Sequence, residues 1–255
     1  MKKVVFSLLA VAFVTVFVSC KNETKDPSTE IPADDLAIAD TTEPTSEFLY
    51  VTANSGLSLR EFNNLNSEKL AVMPYGTKVK IVKAEAQPTM TVGGIKGAMD
   101  EVEFNHKKGF AFNGYLSKFF PPEQDISAKS YAEELQKTFP KVSFSETTGG
   151  TASKPSNTEI LLLPTTQWHE AFFVAQQLFD FPKEFAFPEP KGKDEQIIKD
   201  SKPKKDVWES ELHVNRKDDV LQKIAYVYKT KTFSNTITIT KDGEAMKIER
   251  TEVVE

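Results

Sequence analysis

The chain has 255 residues, with 32 Lys and Arg against 37 Asp and Glu, a formal net charge of −5 and a single cysteine. An acidic surface is repelled by phosphate backbones, which argues against nucleic acid as a partner, and a lone cysteine allows no intramolecular disulfide, so cohesion has to come from packing. The length suffices for one or two domains with real cores, and His106, His169 and His213 stand too far apart for a recognisable metal spacing, so no metal or other cofactor is expected.

Met1-Lys2-Lys3 is followed by Val4 to Val18, nearly all apolar, and then by Ser19 and Cys20. A basic head, an apolar run too short to span a bilayer in a finished protein and a small residue make a secretory signal over residues 1–19. Phe17-Val18-Ser19-Cys20 resembles the lipobox of bacterial lipoproteins, with Phe17 where Leu is usual. That resemblance implies cleavage before Cys20, a diacylglycerol on its sulfur and an acyl group on its new amino end. The protein would then be held by lipid to a membrane of the bacterial envelope, the outer membrane being the expected one, with either face open. An ordinary cleaved signal with a leftover cysteine, or an uncleaved anchor, is the alternative. Loss of Lys2 and Lys3 with the signal takes the net charge to −7.

Residues 20–46 are rich in Asp, Glu, Thr and Pro and poor in large apolar groups, too few to offset chain entropy by burial. They read as a flexible acidic tether with a reach of about 25–30 Å. From 47 to 121 the signals are those of short strands and turns: Leu49-Tyr50-Val51, Lys69 to Met73, Thr77 to Val82, a hairpin across Val92 to Phe104, and Gly109 to Phe112. In Thr77-Lys78-Val79-Lys80-Ile81-Val82 apolar residues alternate with lysines, as a half-buried strand requires. Five such strands predict a small barrel.

Three motifs in this stretch carry a resemblance. Gly56-Leu57-Ser58-Leu59-Arg60, Met73-Pro74-Tyr75-Gly76-Thr77-Lys78-Val79 and Gly109-Phe110-Ala111-Phe112-Asn113-Gly114-Tyr115-Leu116-Ser117 resemble, in order, the signatures of bacterial SH3-like (SH3b) domains. Phe110 replaces the usual Trp, and Met99 stands near where another Trp often sits. The resemblance implies an SH3-like barrel that engages peptidoglycan peptides or an envelope protein. Tyr75, Phe110 and Tyr115 are the candidate ligand strip, since aromatic rings stack on peptides and sugars; core or support roles are the alternative for each.

After Pro121-Pro122 the pattern changes, and 126–255 read as an α+β domain resembling no family. Ser127 is placed to cap a helix with Ala128, Tyr131, Ala132, Leu135 and Phe139 on one face, stopped by Pro140. Glu146 to Asn157 reads as a mobile loop. Ile160 to Leu163 is a buried strand, and Thr165 or Thr166 caps a helix burying Trp168, Ala171, Phe172, Ala175, Leu178 and Phe179. Phe181, Phe185 and Phe187 lie among prolines, which reads either as an exposed arm for a partner protein or as a loop packed back on the sheet. Lys191 to Lys205 reads as a solvated loop with a short helix near Glu195 to Lys199. The tail is all strand, with Trp208, Leu212 and Val214 inward, Thr236 to Thr240 alternating, and Asp242-Gly243 as a hairpin turn. The expected fold is therefore mainly β: an SH3-like barrel followed by an α+β domain in which a four-stranded antiparallel meander carries Trp168's helix. No nucleophile, base or paired-carboxylate motif is recognisable. A binding or structural role is accordingly expected, with a hydrolase site hidden in 126–255 as the alternative.

Overall fold

The computed structural model describes residues 48–255. The signal, Cys20 and the tether lie outside the described residues. Nine strands come first: β1 (Phe48–Val51), β2 (Leu57–Arg60), β3 (Lys69–Met73), β4 (Lys78–Lys83), β5 (Met90–Val92), β6 (Ile95–Gly97), β7 (Met99–Phe104), β8 (Lys107–Phe112) and β9 (Leu116–Ser117). Seven of them form an antiparallel sheet in the order β3-β2-β8-β7-β4-β1-β9, while β5 and β6 pair as a separate hairpin. The sheet is open, with β3 and β9 as its edges, so the expected barrel is not closed by hydrogen bonding.

The alternation visible in the sequence sets which side chains go inward. Val79 is fully buried while Lys78 and Lys80 face solvent, and Leu57 and Leu59 are buried on β2 between Ser58 and Arg60. Gly56 precedes β2 with φ +82°, where a Cβ would stand 2.8 Å from Val72 Cγ1 and 2.9 Å from the Met73 carbonyl oxygen. At Gly109 a Cβ would meet the Arg60 carbonyl at 2.5 Å, so only glycine lets β8 come up against β2.

The remainder holds α1 (Ala128–Gln136), β10 (Ser143–Thr151), β11 (Lys154–Leu163), α2 (Trp168–Leu178), β12 (Glu195–Lys199), β13 (Val207–Lys217), β14 (Val220–Thr230), β15 (Phe233–Asp242) and β16 (Ala245–Val254). All seven strands join one antiparallel sheet, β10-β11-β16-β15-β14-β13-β12. The expected meander is its centre, extended by β12 on one side and by β11 and β10 on the other. α2 packs on β15 and β16, and Ala171, Phe172 and Ala175 on the helix share a fully buried layer with Leu163, Ile237, Ile239 and Ile248. Ser127 does cap α1, its Oγ accepting the Ser130 N–H at 3.1 Å.

Several local expectations are corrected. Glu146 to Asn157 is no mobile loop: it lies in the β10–β11 hairpin, paired from Ser143↔Leu162 out to Thr151↔Lys154. Its outer part overhangs the core, so both faces are polar and the inward–outward alternation that marks a strand is missing. Glu195 to Lys199 is strand β12 rather than helix, paired from Glu195↔Asn215 to Lys199↔Glu211. Trp208 does not point into the core; it is 63% exposed at the start of β13, beside a register irregularity. Neither Thr165 nor Thr166 is the cap residue of α2. That position is Gln167, whose side chain makes no capping bond, while Thr165 Oγ1 accepts the Gln167 N–H at 3.1 Å.

Of the two readings of the phenylalanine stretch, the packed one is observed. Phe181, Phe185 and Phe187 are 3%, 4% and 8% exposed. The hydrophobic cluster runs without a break from Val51 and Leu59 through Phe119, Tyr131 and Leu135 to Phe172 and Ile248. Three aromatic contacts help make the join: Phe119 lies edge-on to Phe139 at 5.0 Å, Phe120 to Tyr131 at 5.3 Å, and Tyr115 lies 5.9 Å from Phe173. A further link is polar, Ser117 Oγ on β9 donating to Glu170 Oε1 on α2 at 2.6 Å.

Candidate functional site

The segment after α2 is held by two side chains that strand and helix periodicity aim at it. Gln176 Nε2 donates to the carbonyls of Pro182 at 3.1 Å and Phe185 at 3.0 Å. Arg216 shares the inward parity of Leu212 and Val214 on β13, and its guanidinium donates to the Glu189 carbonyl (2.7 and 3.0 Å), the Lys193 carbonyl (3.0 Å) and Gln196 Oε1 (3.0 Å). It is a buried cation satisfied by four oxygen contacts. Phe181 then stacks on Tyr226 at 5.0 Å, and Phe187 meets Phe172 edge-on at 5.7 Å.

Where this segment passes the first sheet it leaves a groove of about 510 Å³. Its apolar wall includes Leu57, Val92, Tyr115, Phe173, Phe185 and Phe187. Tyr115 stands between Phe112 at 5.8 Å and Phe173 at 5.9 Å, and burial pushes its phenol up from the usual value. The charged residues lining this groove are Arg60 and Lys183, with no carboxylate among them. Arg60 is oriented by its Nη1, which donates to the Ser67 carbonyl at 2.6 Å.

A second groove, of about 520 Å³, opens where β1 and the turn before β4 meet the Pro121-Pro122 connection. Tyr50, Tyr75, Phe120, Pro121 and Pro122 line it, with Glu123 and Glu134 as its charged residues and no cation. Phe120 is fixed edge-on between Tyr50 at 6.3 Å and Tyr131 at 5.3 Å, and its carbonyl accepts the Tyr131 hydroxyl at 2.8 Å. Burial pushes the Tyr75 phenol up to about 12.

The candidate strip is thus divided. Tyr75 borders one groove, Tyr115 the other, and Phe110 neither, lying on β8 between Arg60 and Glu101 of the adjoining strands. Phe185 and Phe187, from the stretch read either as a partner arm or as a packed loop, line the first groove together with Tyr115, whereas Phe181 faces Tyr226 in the core. No family model, curated protein or solved structure matches the chain.

Two ionisable residues stand side by side on α2: the sequence reads His169 next to Glu170 as a surface or boundary histidine rather than an acid–base pair, because adjacent helical residues point about 100° apart. Glu170 is 8% exposed and accepts from Ser117 Oγ and Thr165 Oγ1, the latter at 2.5 Å. Desolvation holds its carboxyl above the usual range, against the lowering pull of those hydroxyls and of Lys118. Next to it, His169 lies edge-on to Phe187 at 6.1 Å, and burial holds its imidazole down at about 4. The signal for Glu170 was there to read, a carboxylate flanked by Trp168, Ala171 and Phe172 on an apolar helix. Among the described residues no group of His, Cys, Asp and Glu is placed to hold a metal ion, and no helix is long and apolar enough to cross a membrane.

Proposed function

We propose that this chain is a lipid-anchored binding protein of the bacterial cell envelope, tied to the outer membrane through diacylglycerol and an N-acyl group at Cys20. In this reading residues 47–121 are an SH3b-type module, and it works by binding rather than by catalysis. Its first groove engages peptidoglycan peptides or an envelope protein. The observation that carries the reading is the makeup of that groove, an aromatic and aliphatic wall beside two cations and no acid. Such a surface suits a peptide that presents an apolar side chain next to a carboxylate. Phe185 and Phe187 from the second part of the chain complete the wall that Tyr115 begins, so the bound peptide would touch both sheets' territories.

The test has two arms. Cys20→Ser should move the protein from the membrane to the soluble fraction and abolish acyl labelling, because a chain of net charge −7 has no other strong attraction to lipid. In sedimentation with purified peptidoglycan or pull-down from envelope extract, Lys183→Gln should weaken retention about three- to tenfold, as loss of one ion pair to a carboxylate predicts. Retention unchanged in both Lys183→Gln and Arg60→Gln would overturn the groove assignment, and persistence of the Cys20→Ser protein on salt-washed membranes would overturn the anchor.

A further inference from the structure

The second groove differs from the first in the sign of its charge. Its walls are the rings of Tyr50, Tyr75 and Phe120 and the faces of Pro121 and Pro122. Glu123 and Glu134, both exposed, stand at it, and no Lys or Arg side chain lines it. Ring faces carry negative potential and attract cations within about 6 Å of their centroids. Carboxylates beside such rings reinforce the attraction over a surface that is partly shielded from water. The chain uses the same chemistry next door, where Lys78 Nζ lies 4.7 Å from the centroid of the Phe48 ring. Lys78 is the strand partner of Tyr50, so this neighbouring cation is turned onto Phe48 rather than lining the groove.

We propose that this groove is a binding site for an alkylammonium side chain, that of a lysine presented on a peptide, with the rings holding the methylene stem and the ammonium set between Glu123 and Glu134. The assignment goes beyond the first groove's ligand and does not depend on it. A carboxylate-bearing ligand is disfavoured by the two acids. The stem of the lysine provides about four methylenes to cover the tyrosine and proline faces, which a compact inorganic cation lacks. Phe120 is set in place before any ligand arrives, pinned by Tyr50, by Tyr131 and by the bond from the Tyr131 hydroxyl to its carbonyl, so binding carries little cost for ordering this part of the wall.

The experiment is an NMR titration of the full chain carrying Cys20→Ser, with the tyrosine rings isotopically labelled, using Nα-acetyl-lysine N-methylamide as the probe. The same molecule with its ε-amine acetylated is the neutral control. Saturable shifts of the Tyr50 and Tyr75 rings are expected with the charged probe, and affinity at least about fivefold lower for the neutral one. The double variant Glu123→Gln, Glu134→Gln should weaken the charged probe by a similar factor, with an unchanged thermal midpoint because both residues are exposed. Equal affinity for the two probes would overturn the proposal in favour of neutral, proline-like packing. Shifts confined to Tyr115, indifference to the double variant, or no shift at Tyr50 and Tyr75 up to tens of millimolar probe would each overturn it as well.

Discussion

His169 offers the sharpest link between burial and a measurable quantity. Burial holds its imidazole at about 4 in the folded chain, whereas the unfolded chain takes up that proton near pH 6.5. Between those two values the unfolded state carries more protons, so this stabilisation is fully present above about pH 6.5 and is lost as pH falls towards 4. A separation of about 2.5 units corresponds to about 3 kcal/mol, and the residual solvent contact of the ring brings the expectation to about 2–3 kcal/mol. Urea unfolding of the wild type and of His169→Gln at steps from pH 7.5 to 4 measures it. Glu170 titrates with the opposite sign: its raised carboxyl contributes stability in acid that is lost as pH rises. Because Glu170 is present in both proteins, its contribution largely cancels in the difference. The wild type should lose about 2–3 kcal/mol relative to the variant over that range. A difference independent of pH would refute the claim that His169 is kept neutral by its packing against Phe187.

Two further outcomes follow from the packing. Arg216→Ala removes the guanidinium bonds to the Glu189 and Lys193 carbonyls and to Gln196 Oε1 and should cost about 2–4 kcal/mol in urea unfolding. Arg216→Lys should recover little of this, since an ammonium cannot reproduce the planar fork. Excising residues 47–121 would uncover Phe119, now 1% exposed against Phe139, at a cost of about 2–3 kcal/mol. A segment of that size has little stability to lose. A 47–140 fragment that keeps α1 should therefore unfold more cooperatively by circular dichroism than 47–121 does, and equal transitions would show that α1 adds nothing to the first sheet.

How far the sequence could be read depended on whether a segment met the core on one face. Thr236 to Thr240 alternates because Ile237 and Ile239 are fully buried and the threonines are not, and the Asp242-Gly243 turn brings β15 back as β16 through Asp242↔Ala245 pairing. The β10–β11 overhang has no such asymmetry, so Ser, Thr and Gly there looked like loop. Trp208 shares the parity of Leu212, but it stands in the register irregularity between Val207 and Glu209, which strict alternation does not anticipate, and its ring is exposed. That same parity did point Arg216 inward, a clue hidden by the habit of placing arginines outside. The grooves were illegible for another reason: Leu57, Val92, Tyr115 and Phe173 come together only through long-range packing, and nothing in their local spacing records it.

The place of β16 has a kinetic consequence. It pairs with β15 on one side, its hairpin neighbour, and with β11 on the other, from Ser156↔Val253 to Leu163↔Met246. The β10–β11 hairpin therefore reaches the rest of its sheet through β16 alone, across a loop of roughly ninety residues whose closure is entropically slow. Hairpins β13 to β16 can zip locally, one turn after another, while β10–β11 waits for the zipped edge to arrive. Amide exchange should accordingly divide this sheet at the β11–β16 boundary, the β10–β11 protons opening as a unit more readily than those of the consecutive hairpins. One seam of backbone bonds thus decides both when the sheet is completed and where it first comes apart.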